Sequence, residues 1–107
     1  MSDFQGISVP NQQRNRTLQQ TRTTLDGAAV LAAAKSFFAS RSGIYSAFLE
    51  KESPTHVALR GQGGEELVIG VAQVAGVTQV TGSSYLFDQQ VAHFLSSLPP
   101  AAPELVA

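Results

Sequence analysis

The 107-residue chain contains no cysteine. That excludes disulfides, thiolate metal centres and cysteine nucleophiles. No apolar run approaches the ~20 residues that a bilayer-spanning helix needs. The opening Met1-Ser2-Asp3-Phe4-Gln5-Gly6 has neither the basic nor the apolar segment of a secretory leader. These absences point to a cytoplasmic protein that does not enter membranes. Charge is scarce as well, with 14% of residues ionisable as Asp, Glu, Lys or Arg and a net charge of −1. Arg14, Arg16 and Arg22 against Asp3 leave residues 1–24 at +2, while the remainder carries −3. A nucleic-acid-binding body normally presents a basic patch, so nucleic acid is not an expected partner of the body. The N-terminal arginines are the one place where a phosphate backbone or an acidic partner would be met.

What the chain does contain is a second half punctuated by glycine. Thr55 to Arg60, Glu65 to Ala72 and Val77 to Thr81 are strand-like runs, separated by Gly61-Gln62-Gly63-Gly64 and by Gly76. Connections this short make antiparallel neighbours, because a parallel crossover needs a dozen residues or more. Ile44 to Glu52 precedes them as a further strand and ends at Ser53-Pro54. Upstream, Leu25 to Ser42 reads as a helix with Thr24 as its cap, Asp26 in the first turn, and Val30, Leu31, Ala34, Phe37 and Phe38 on one face. Downstream, Ser83 or Ser84 caps a closing helix whose stripe is Phe87, Val91, Phe94, Leu95 and Leu98. The threonine-rich stretch from Arg16 to Thr24 favours extended backbone and is read as an edge strand.

The expected fold is α+β, with the order (β)-α-β-β-β-β-α. One antiparallel sheet of four to five strands carries two helices on a single face, a two-layer sandwich. Residues 1–15 are expected as a flexible polar arm, 16–98 as a single domain and 99–107 as a mobile proline-rich tail. In element order alone the domain resembles a half-repeat of the TATA-box-binding-protein fold, and also a short helix-grip domain of the birch-pollen-allergen type. No motif accompanies the resemblance, so it implies no site residues.

Catalytic chemistry finds little to work with. His56 and His93 are far apart in sequence and lack the spacing of paired metal ligands. Glu65 and Glu66 are neighbours in a strand and point to opposite faces, so they cannot converge as an acid–base pair. Gly61-Gln62-Gly63-Gly64 leads into a strand rather than a helix, unlike a phosphate-cradling loop. Ser84, Asp88 and His93 hold the residue types of a triad. On one helix, however, offsets of four and nine put His93 about 180° around the axis from Ser84. No catalytic residue, metal site or cofactor is expected, and an enzyme would need a constellation that the sequence does not reveal.

One feature resists the simple picture. Phe48, Ala58, Val68, Gly70 and Ala72 all point away from the helices, which makes that sheet face more apolar than a solvated face needs to be. The leading expectation is a small non-enzymatic binding or assembly module that homodimerises through this outer face. The alternative is a carrier that holds a small apolar ligand between the sheet and the closing helix, lined by Tyr45, Leu49, Ile69, Phe87, Val91 and Phe94.

Overall fold

In the computed structural model, residues 17–41 and 46–101 are described. The elements are β1 (Thr17–Thr23), α1 (Gly27–Ser36) running into a π-helical turn (Phe37–Arg41), β2 (Ala47–Ser53), β3 (His56–Gly61), β4 (Glu66–Val74), β5 (Val77–Ser84) and α2 (Asp88–Ser96). The sheet is five-stranded in the order β1-β5-β4-β3-β2, with every neighbouring pair antiparallel. It stays open, with β1 and β2 at its edges. This is the α+β arrangement predicted from the sequence.

Alternation along the strands sorts the side chains. Val57, Leu59, Leu67, Ile69 and Val80 turn inward and meet Val30, Leu31, Ala34, Phe37 and Phe38 of the first helical segment and Val91, Phe94, Leu95 and Leu98 from the end of the chain. Both helices therefore lie on one face and share one core. The π turn matters to that core. Successive residues of a regular α-helix diverge by about 100°, yet Phe37 and Phe38 are both buried, edge-to-face with centroids 5.0 Å apart. The ring of Phe94 fits against both, at 5.4 and 5.6 Å.

Several boundaries differ from expectation. Asp26, not Thr24, is the N-cap of α1: its backbone is extended and its Oδ1 accepts from Ala29 N at 2.7 Å. Gly82, Ser83 and Ser84 do not open the closing helix. They lengthen β5, because each has a partner on both sides: Gln19, Leu18 and Thr17 on β1, and Ile69, Val68 and Leu67 on β4. Two-sided strand pairing outweighs the capping preference of serine here. The chain then turns through Leu86 at a φ of 69°, and α2 starts at Asp88. Asp88 is tied to β1 by Thr17 Oγ1, which donates to its Oδ2 at 2.9 Å, and by Gln19 Nε2, which donates to its carbonyl at 3.0 Å.

A bulge interrupts the alternation of β2. Leu49 lies opposite Leu59, but the next paired residue, opposite Ala58, is Lys51. Glu50 is the extra residue, and Glu52 is thereby carried to the helix side, where it accepts from Lys35 Nζ at 2.9 Å. The start of the proline-rich segment is held to β1. Pro100 bridges to Thr23, Thr24 N donates to the Pro99 carbonyl at 3.3 Å, Ala101 N donates to the Arg22 carbonyl at 3.2 Å, and the buried Thr23 hydroxyl donates to Pro99 at 2.6 Å. The polar arm of residues 1–15 lies outside the described residues, as do residues 102–107.

Candidate interaction surface

The outer face can be read in rows from the strand register. One row runs Lys51, Ala58, Val68, Ser83, Leu18 from edge to edge, and a second runs Ser53, His56, Gly70, Thr81, Gln20. A third begins Phe48, Arg60, Glu66, and a fourth joins Ala72, Gln79 and Arg22. The middle of the face is built from short side chains, so it is low. Ala58 is only 5% exposed and forms its floor between Lys51 and Val68. Gly70 keeps the strip low beside Thr81, since a Cβ there would lie 3.1 Å from Thr81 Oγ1, a tight contact. Val68 is half-buried and Ala72 exposed.

Large apolar side chains stand at the two rims of this low centre. Phe48 on β2 is 60% exposed and Leu18 on β1 is 70% exposed. Beside Phe48, the Arg60 guanidinium is held by a two-point contact with Glu50, from Nε to Oε2 at 2.9 Å and from Nη2 to Oε1 at 2.8 Å, and its Nη1 donates to the Gly64 carbonyl at 2.7 Å. The bulge makes this contact available by freeing Glu50 from the ladder. The hydrogen bond from Arg60 holds the Glu50 carboxyl below the usual carboxylate range. An open cleft of about 400 Å³ adjoins Arg60, Gly64, Glu65, Glu66 and Tyr85. Its cation is already committed to Glu50, so the cleft offers an anion no unpaired charge.

The other predicted groups fall as follows. Ile69, Phe87, Val91 and Phe94 are buried in the core cluster, whereas Leu49 sits at the β2 edge, 39% exposed. Tyr45 lies outside the described residues. The sheet and α2 meet closely: a Cβ on Gly61 would come within 2.8 Å of the Phe87 ring, and one on Gly82 within 2.5 Å of Val91. His56 is half-buried and hydrogen-bonded through Nδ1 to Ser53 Oγ at 2.8 Å. That same Ser53 Oγ accepts from the backbone of Thr55 and His56, each at 3.2 Å, so this cluster is a turn device. Exposed His93 stacks edge-on to Phe37 at 5.7 Å. Ser84 Oγ reaches Asp88 Oδ1 at 3.4 Å, linking the end of β5 to the start of α2. Among the described residues no three His, Asp or Glu side chains are grouped to hold a metal ion, and no helix is long and apolar enough to cross a membrane.

Reasoning from sequence missed the Leu18 rim, since the strand assignment of residues 17–23 did not carry the pairing with β5 that sets its face. It also missed the bulge at Glu50, which leaves no mark in the alternation of apolar residues. Comparison with protein-family models, with curated proteins and with solved structures finds no match to this chain.

Proposed function

We propose that the protein is a small non-enzymatic assembly module that binds a second copy of itself through the outer sheet face. The observation that carries the reading is Phe48, a phenylalanine 60% exposed on a strand and standing beside the low strip of Ala58, Val68 and Gly70. A two-fold contact sets the same patch against itself, so each Phe48 covers the strip of the other copy. Ala58, Val68 and Gly70 carry no charge; of the cations that flank them, Arg60 is paired with Glu50 and Lys51 ends the row at the β2 edge.

The size of the face sets the strength. Five strands about 4.8 Å apart, each some seven residues long, present roughly 500 Å² per partner. Stable complexes bury ~800 Å² per partner. Face pairing alone therefore gives a dimer that forms and dissociates with concentration. Amide resonances followed by NMR on dilution test this directly. The reading expects concentration-dependent shifts at Phe48, Val68, Gly70 and Ala72. Shifts confined to the helix layer, or none at all at high concentration, would remove it.

A further inference from the structure

The two edges of the sheet differ in a way that bears on assembly. Edge β2 carries the devices that block strand addition, namely a bulge at Glu50 and the consecutive charges Glu50, Lys51 and Glu52. Edge β1 carries none over Thr17-Leu18-Gln19-Gln20-Thr21, which has no charge, proline or bulge.

The direction of the β1 backbone groups follows from the tail. The Arg22 carbonyl accepts from Ala101 N and Thr24 N donates to the Pro99 carbonyl, both away from β5. Backbone groups alternate along an antiparallel strand, so the N–H and C=O of Leu18 and Gln20 also face the open side. No strand among the described residues lies there. The tail seals this edge from Arg22 onward, and no described residue pairs with the open side of the segment from Thr17 to Thr21.

We propose that β1 pairs antiparallel with β1 of a second copy, joining two five-stranded sheets into one continuous sheet. The tail fixes the register, because any alignment that needs a partner opposite Arg22 is blocked. Pairing that uses the whole of this segment puts Gln19 on the two-fold axis, Leu18 opposite Gln20 of the other copy, and Thr17 opposite Thr21. Leu18 and Gln20 then exchange both backbone hydrogen bonds at each of two rungs. The same register makes the two Leu18 side chains diagonal neighbours on the outer face, ~7–8 Å apart. That covers the most exposed large apolar residue described in the protein, at 70%. The occupant is a second copy because the uncharged segment from Thr17 to Thr21 opposes itself under that axis and covers each exposed Leu18 with its own counterpart.

The proposal does not rest on the outer-face reading, and the test separates them. Amide hydrogen exchange of the full chain should show Leu18 and Gln20 slowed at least tenfold as concentration rises, with Gln19 and Thr21 protected throughout by β5. Gln20→Pro removes an N–H that points away from β5, a position where an edge strand tolerates proline. The variant should melt within a few degrees of the parent, and its Leu18 amide should exchange quickly at every concentration. Phe48→Glu should leave the edge protection in place. The proposal fails if Leu18 and Gln20 exchange quickly in the parent at all concentrations. It fails equally if their protection does not depend on concentration, since a segment of the same chain would then occupy the edge.

Discussion

Gly82 and Val91 fit together without room for a methyl group: a Cβ on Gly82 would lie 2.5 Å from Val91 Cγ1 and 3.4 Å from Ile69 Cδ1. The closing helix rests on β5 at this bare position. Gly82→Ala is expected to destabilise by ~1–3 kcal/mol, the range for overpacking a tight core. Chemical denaturation should show a lower midpoint with an unchanged slope. An unchanged midpoint would mean that α2 sits farther from the sheet than described.

Asp26 supplies the one side-chain cap seen at the start of α1. Asp26→Ala should cost ~1 kcal/mol, as loss of an N-cap does. Thr24→Ala, at an exposed position that does not cap, should change stability by less than ~0.5 kcal/mol. Thermal melts of the two variants side by side check both values.

Phe94 is 1% exposed and touches both phenylalanine rings of the π turn. Phe94→Ala should cost ~3–5 kcal/mol, a large share of the ~5–15 kcal/mol that holds a domain of this size. His93, one residue earlier, is exposed and meets only the edge of that cluster through Phe37. His93→Gln should cost under ~1 kcal/mol. Denaturant titration finding the reverse order would overturn the phase of α2.

The Glu50 carboxylate is held below its ordinary range first by the hydrogen bond from Arg60. A folded-state pKa lowered in this way gives stability that is present above the unfolded value, and that stability is lost as pH falls through the folded one. An NMR pH titration should place the Glu50 midpoint below that of an ordinary glutamate, and Arg60→Gln should return it to the usual range. At this exposed site the change in melting temperature at neutral pH should be small.

Much of this fold is legible in the sequence, for identifiable reasons. Glycine turns and period-two alternation mark β3 and β4, and the inward set Val57, Leu59, Leu67, Ile69 and Val71 follows from that period alone. The stripe through Val91, Phe94 and Leu98 likewise gives the buried face of α2. What could not be read depends on partners distant in sequence. Ser83 and Ser84 look like caps until β1 is seen to pair with them, and Glu52 looks solvent-facing until the bulge turns it toward Lys35. Phe48, Ala58, Val68, Gly70 and Ala72 share one face in the strand register, an arrangement that alternation within each strand already indicates. Leu18 joined them only through the register of β1 against β5, some 65 residues away in the chain.

Sedimentation equilibrium of the full chain across a wide concentration range tests self-association through the outer face. The parent should shift from monomer to dimer or larger species as concentration rises. With the β1 edge closed by Gln20→Pro, adding Phe48→Glu, which places a carboxylate on the face without touching the core, should weaken the remaining association strongly while leaving the melting temperature of the monomer unchanged. A parent that remains strictly monomeric at the highest concentration, or a Gln20→Pro protein that associates equally well with and without Phe48→Glu, would rule out association through the outer face.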